Sequence, residues 1–234
     1  MNRFKKNLIQ IMDEYKCKKS FEPLKCIPVY DSDMVHQGLL RPITQDYKFT
    51  IPDCASLLAK WRNENADMSP DPFVATPEST EKWLDHAILE RKDRILFLIL
   101  SPEGTKIGQI GFSSLDEKAQ SMEIDAVIRG EKNGCPGIMS HAMNSLMRWG
   151  LDTLELKKIT LRVLSTNLHA IQFYKRNFFF KSGEIPLYQA IGSDQERWTA
   201  VKQNTDQAAE KFYTKMQLDV EKWRKQHNFT EVLP

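Results

Sequence analysis

The chain has 234 residues, and its 33 Lys and Arg against 31 Asp and Glu give a net charge of +2 with no block of one sign. That balance offers no basic face for nucleic acid, while 41% hydrophobic and 27% charged residues describe a folded globular protein. The longest apolar run, from Ile95 to Leu100, falls far short of the ~20 residues a membrane span needs. Near the N-terminus Gln10 and Asp13 interrupt the apolar residues Leu8, Ile9, Ile11 and Met12, so no export signal is expected. Cys17, Cys26, Cys54 and Cys135 form no close pair of the zinc or redox type, which predicts reduced thiols, a cytoplasmic protein and no metal centre.

In chain order, Phe4, Leu8, Ile11, Met12 and Tyr15 recur at helical spacing and predict a short amphipathic helix, followed by a turn-rich stretch over 22–37. Residues 1–37 thus read as an N-terminal helical arm. Leu39-Leu40-Arg41-Pro42-Ile43 reads as a first strand, and Ile51-Pro52-Asp53 opens a helix through Leu57, Leu58 and Trp61. Thr80 is expected to cap a second helix carrying Trp83, Ala87, Ile88 and Arg91. The continuous apolar run after Arg94 predicts a strand covered on both faces, turned by Ser101-Pro102-Glu103-Gly104 into an antiparallel partner from Lys106 to Phe112.

Met122 to Arg129 alternates apolar and polar residues and predicts a strand with Glu123 and Asp125 on one face. From Gly137 the period becomes helical, with Ile138, Ala142, Leu146 and Trp149 on one stripe. Ile159 to Leu164 is a β-branched strand, and Asn167 is placed to cap a helix through Ala170, Ile171, Phe173 and Tyr174. After a turn cluster at Gly192-Ser193-Asp194, the spacing of Ala209, Phe212, Met216, Val220 and Trp223 predicts a C-terminal helix of about five turns. Its apolar stripe either packs on the parent domain or pairs with a second subunit, as a homodimer. The architecture expected is mixed α/β or α+β, with no internal repeat.

Arg129-Gly130-Glu131-Lys132-Asn133-Gly134-Cys135-Pro136-Gly137-Ile138 carries a strand end through three glycines into a helix. Such a turn exposes backbone N–H groups beside a helix N-terminus, where oxyanions bind. The spacing lacks the lysine and hydroxyl of a triphosphatase loop and is not the dinucleotide fingerprint. A plain glycine-rich connection is the competing reading.

Downstream, Leu164-Ser165-Thr166-Asn167-Leu168-His169-Ala170-Ile171-Gln172-Phe173-Tyr174-Lys175-Arg176-Asn177 resembles the second hallmark of the GNAT acetyltransferases, an Asn, then Ala, then an aromatic-Tyr pair on the next helix. The resemblance covers about residues 39–190, includes Trp61-Arg62-Asn63, and is nearest the branch of ribosomal-protein and amino-sugar acetyltransferases. It implies a mostly antiparallel, bent β-sheet flanked by helices, with the acetyltransferase domain over 38–192 and a C-terminal helical extension over 193–234. It further implies that the acetyl-coenzyme A pyrophosphate sits on the loop, with Arg129, Gly130, Lys132, Asn133, Gly134, Gly137 and Ile138 as the cofactor-binding set, joined by Asn167. Two departures stand out. The family loop reads Gln or Arg, two residues, Gly, one residue, Gly, whereas in Lys132-Asn133-Gly134-Cys135-Pro136-Gly137 only the last glycine is in register, and Pro136 has no N–H to donate. Phe178 stands where relatives have glycine, so Asn177 is expected to take the left-handed turn.

Acyl transfer from a thioester demands an uncharged amine, donors for the developing oxyanion and a proton for the departing thiolate. By resemblance Tyr174 supplies that proton; a ring on the buried helix face beside Phe173 is the plainer reading. Glu123, ahead of Asp125, is the candidate base, against a carboxylate merely solvated or paired with Arg129. Trp61, Arg62 and Asn63 fall where relatives shape the acceptor pocket, Arg62 being able to hold an anionic acceptor by a forked contact. The function expected is acetyl-coenzyme A-dependent transfer to a primary amine of a small molecule, an amino sugar that is nucleotide-linked. The alternatives are a protein α-amino group, or a non-catalytic acyl-coenzyme A-binding module.

Overall fold

The computed structural model describes residues 2–17, 23–132, 134–191, 197–203 and 206–227. The chain divides into two compact units, Met1–Glu64 with Ala75–Ile159, and Asn65–Val74 with Thr160–Pro234.

In the first unit α1 (Arg3–Lys16) begins at Asn2, whose Oδ1 accepts from the Phe4 N–H at 3.1 Å, and it buries Phe4, Leu8 and Met12 as the spacing requires. The stretch read as turns contains a strand, β1 (Ile27–Tyr30), paired antiparallel with β2 (His36–Pro42) and burying Ile27 and Val29. Its four residues, one of them Pro28, are too few to display an alternation in the sequence. There follow α2 (Tyr47–Thr50), α3 (Cys54–Glu64) and α4 (Pro77–Lys82). The cap of α4 is Thr76, not Thr80: Thr76 Oγ1 accepts from the Ser79 N–H at 3.1 Å, Ser79 Oγ accepts from the Thr76 N–H at 2.9 Å, and Pro77 takes the first turn, where its missing donor costs nothing. Thr80 is buried inside the helix. A π-helical segment, Trp83–Leu89, continues α4.

Then come β3 (Ile95–Leu100), β4 (Lys106–Asp116), β5 (Ser121–Arg129) and α5 (Ile138–Asp152). Strands β1 to β5 each pair antiparallel with the next, and β3 is covered on both faces as its composition predicts. Trp149 of α5 gathers one side of the core, with Tyr15 at 5.0 Å, Phe97 at 5.5 Å and Phe112 at 6.3 Å between ring centroids. β5 carries a bulge: Gly111 faces Asp125 but Gln109 faces Ile128, so Ala126 and Val127 oppose one residue, and Ala126 is left-handed at φ 52°. Buried Gln109 donates from Nε2 to the Ala126 carbonyl at 3.2 Å and steadies that kink.

The second unit holds β6 (Lys158–Leu164), α6 (Leu168–Arg176), β7 (Phe179–Gln189), β8 (Trp198–Thr199), β9 (Lys211–Leu218) and α7 (Val220–Gln226). β9 pairs antiparallel with both β6 and β7, and β8 with β7. The long C-terminal helix expected over 209–223 is therefore replaced by strand β9 and the seven-residue α7. Phe212, Met216 and Val220 lie four apart, a spacing that satisfies a period of 2 as well as 3.6. The chain follows the period of 2, burying Thr214, Met216 and Leu218; of the expected stripe, Met216 and Trp223 are buried, while Ala209, Phe212 and Val220 are half-buried. The turn cluster Gly192-Ser193-Asp194 lies outside the described residues.

At the end of α6 the left-handed residue is Phe178, at φ 67°, while Asn177 stays at φ -96°. Asn177 is held there because its side-chain Nδ2 donates to the Phe173 carbonyl at 2.8 Å. The strain at Phe178, about 1–2 kcal/mol for an L-residue, is opposed by its carbonyl accepting from the Asp219 N–H at 2.9 Å and by its ring meeting His227 at 5.7 Å. The fold is the mixed α/β, mostly antiparallel arrangement flanked by helices that was expected. Among the described residues no helix is long and apolar enough to cross a membrane.

Candidate functional site

The loop between β5 and α5 is shaped by Arg129, the last residue of β5. Its guanidinium donates to three loop carbonyls: Nε to Glu131 at 3.0 Å, and Nη2 to Lys132 at 3.3 Å and to Gly134 at 2.8 Å. One cation draws these carbonyls to itself, which favours the intervening N–H groups turning elsewhere. The loop's start is pinned to β4, where the N–H groups of Gly130 and Glu131 share the Ile107 carbonyl at 2.9 and 2.8 Å. Left-handed backbone at Gly134 (φ 78°), Cys135 (φ 46°) and Gly137 (φ 80°) then curls the chain into the first turn of α5. Left-handed curls of this kind beside the N-terminus of a helix, here one of 15 residues, are backbone that suits an anion.

Each expected loop residue has a distinct place. Arg129 acts on the loop itself, and Lys132 is exposed. Gly130 is buried against Trp61, so closely that a Cβ there would lie 1.9 Å from the indole. Gly137 is the N-cap of α5. Ile138 is buried at 1% exposure and serves by packing. Asn133 lies outside the described residues.

Trp61, expected at the acceptor pocket, is wholly buried and offers no surface to an acceptor. Instead it buttresses the loop from α3, with Nε1 donating to Glu131 Oε1 at 3.4 Å and Gly130 lying on its ring. Asn63 spends its amide on the backbone of Ala75: Nδ2 donates to the carbonyl at 2.8 Å and Oδ1 accepts from the N–H at 2.7 Å. Arg62 alone of the three has its charged group beside other functional side chains. Its Cζ lies 4.9 Å from the centroid of the Trp83 ring, and that of Arg94 lies 5.7 Å from the same ring. Burial first, and Arg94 second, push the Arg62 pKa down from its usual value.

Glu123 is half-buried on β5. Asp125, on the same face, is committed: Oδ2 pairs with Arg94 Nη2, and Oδ1 accepts from the Ala126 N–H at 2.8 Å. The partner is Arg94, not Arg129, because Arg129 is occupied by the loop. Sequence reasoning passed over Trp83 and Arg94 as site residues; the available signal was a cation directly before the apolar run of β3 and an aromatic in the helical segment preceding it.

In the second unit Tyr174 is 8% exposed, with its ring edge-on to Phe173 at 5.5 Å and to Phe179 at 6.1 Å. Asn167 caps α6 as expected, Oδ1 accepting from the Ala170 N–H at 3.0 Å. Among the described residues no three His, Cys, Asp or Glu side chains are grouped to hold a metal ion.

Residues 39–179 match the family model described as Acetyltransferase (GNAT) domain. No curated protein sequence matches the chain. Among solved structures it is similar to a spermidine N-acetyltransferase SpeG chimera from Vibrio cholerae, at 19% identity and a TM-score of 0.52 over 80% of this chain and 97% of that one. It is also similar to a probable acetyltransferase of the GNAT family from Chromobacterium violaceum, at 15% identity and a TM-score of 0.60 over 86% of this chain and 89% of that one. At these identities the likeness is one of fold.

Proposed function

The chain belongs to the GNAT acetyltransferases, enzymes that use acetyl-coenzyme A to acylate amines, and on that premise we propose that it acetylates the primary amine of a small molecule, an amino sugar in nucleotide-linked form. The observation that carries the coenzyme half of this reading is the Arg129-organised loop, which curls left-handed into the N-terminus of α5. Coenzyme A brings a pyrophosphate, and a loop of N–H groups at a helix N-terminus, with exposed Lys132 beside it, suits one. The location we propose is the cytoplasm, in keeping with four free thiols.

In the reaction proposed, the amine nitrogen attacks the thioester carbon, the N–C bond forms, the C–S bond breaks, and the thiolate leaves. The attacking amine must first be neutral. Glu123, half-buried on β5, is the carboxylate we assign to take the ammonium proton, directly or through water. Tyr174 is the group we assign to give the thiolate its proton. Its phenol stands on a helix fixed at one end by the Asn167 cap and packed through the Tyr174–Phe179 ring contact, which would hold the hydroxyl in one place.

The acceptor reading is supported by charge. A polyamine is the acceptor named for the Vibrio cholerae proteins, whereas in this chain the guanidiniums of Arg62 and Arg94 gather on one indole, a setting that disfavours a polycation beside them. Calorimetric titration with acetyl-coenzyme A tests the foundation. Saturable binding that adenosine does not reproduce, and that Gly137→Val weakens because the left-handed N-cap no longer forms easily, is the expected result; no binding would sink the reading.

A further inference from the structure

We propose that Gln109 is a positioning residue for the loop between β5 and α5: its buried amide holds one extra residue in β5, and that extra residue brings Arg129 to the side of the sheet where it gathers the loop. The proposal deepens the coenzyme half of the proposed function and rests on that reading for what the loop holds.

Across β4 and β5, Ser113 faces Glu123 and Gly111 faces Asp125, but Gln109 faces Ile128 and Gly108 faces Arg129. Residues opposite one another in an antiparallel pair share a face, and the faces alternate along each strand. Glu123 and Asp125 therefore lie on the face of Gln109. Arg129 lies on the face of Phe112, whose ring stacks on Trp149 of α5. Without the insertion, residues 123, 125 and 129 would all fall on one face, because a shift of one residue turns every later side chain over. Arg129 would then point away from α5, into whose first turn the loop runs, and its bonds to the carbonyls of Glu131, Lys132 and Gly134 would be lost.

The insertion is held by side chains. Ala126 sits at φ 52°, a conformation that strains an alanine and suits a glycine. Its N–H donates to Asp125 Oδ1 at 2.8 Å, and Asp125 Oδ2 pairs with Arg94. Its carbonyl accepts from Gln109 Nε2 at 3.2 Å. Gln109 is 1% exposed, and its Oε1 has no hydrogen-bond partner among the described residues. A buried acceptor left without a donor is destabilising, and an apolar side chain of the same length would avoid that cost. Packing alone therefore does not account for a glutamine here. The bond to the Ala126 carbonyl does, because Ala126 has no register partner in β4 and a bulge leaves such a residue outside the ladder.

The first test is amide hydrogen exchange of the full chain without ligand, read over residues 130–138. Gln109→Met keeps the length of the side chain and removes the donor, and exchange in the loop should quicken by about tenfold, the worth of one hydrogen bond. Adding Ala126→Gly, which suits the left-handed backbone without help, should slow it again. Acetyl-coenzyme A affinity by calorimetry should follow the same order, weakened in Gln109→Met by about tenfold and partly restored in the double variant. Ala126→Val opposes the left-handed backbone while Gln109 is intact; it should behave as Gln109→Met does, and it carries the test if Gln109→Met fails to fold. Loop exchange that is unchanged in Gln109→Met, that quickens no more than exchange over β3, or that Ala126→Gly does not slow, overturns the proposal. Failure of the native chain to bind acetyl-coenzyme A would instead strike the proposed function, because the exchange measurement needs no coenzyme.

Discussion

Arg129 spends its guanidinium on the carbonyls of Glu131, Lys132 and Gly134, so in the proposed coenzyme site its part is to shape the loop. A residue that shapes a loop and one that touches phosphate differ in what their removal does. Arg129→Gln should weaken acetyl-coenzyme A binding by about tenfold or more, since hydrogen bonds to a charged group are worth about 1.5–3 kcal/mol. The salt dependence of affinity should barely change, because no phosphate-bound cation is lost; a calorimetric series over salt concentration checks both. Tyr174 poses the complementary question. In Tyr174→Phe the ring contacts to Phe173 and Phe179 survive, so any loss belongs to the hydroxyl. Turnover should fall by about 10²-fold, in the range for a lost general acid, with coenzyme affinity kept. Unchanged turnover would return Tyr174 to the core.

At the scale of elements, β9 is the instructive case. Met216 is fully buried on a strand bonded on both sides, facing Leu161 in β6 and Lys181 in β7. Met216→Ala should cost about 2–5 kcal/mol, as buried large-to-small changes do, measured by urea unfolding. Were 209–223 an external helix, the same change would cost far less. The strand was misread because apolar residues four apart fit either period, and the deciding evidence, β6 and β7 on either side, is not local. Elements with strong local signals were legible: β3 from its continuous apolar run, α5 from its stripe and α6 from the Asn167 cap. β1 was hidden by its length, and the π-helical segment by having no period that sequence inspection seeks. At the site, the glycines and Arg129 could be seen as a loop, yet the division of labour among Trp61, Arg62 and Asn63 could not. Three consecutive residues at the end of α3 point in different directions, and only one of them meets other charged and aromatic side chains at its charged end.

Across the whole molecule the charges nearly cancel, at 33 basic against 31 acidic residues, so the pH response of stability falls to individual buried groups. Lys16 is the clearest of them. It is 1% exposed at the end of α1, its Nζ donates to the Arg91 carbonyl at 2.6 Å, and Asp13 lies 3.9 Å away. Burial pushes its pKa down, Lys92 adds to that, and Asp13, Cys17 and Asp93 oppose it. Between this lowered value and the unfolded value of about 10.4, the unfolded chain binds more protons than the folded one. Stability due to Lys16 therefore rises with pH through that window, and it is flat below the folded pKa, where both states hold the proton. Lys16→Met removes the titration while keeping much of the volume. The unfolding free energy of the native chain minus that of the variant should be level below the folded pKa and should increase as pH climbs from there toward 10, read from urea denaturation at matched ionic strength. A difference that stays level over the alkaline range would mean that Lys16 titrates in the folded chain as it does in water, and that its burial beside the Arg91 carbonyl costs the charged form nothing.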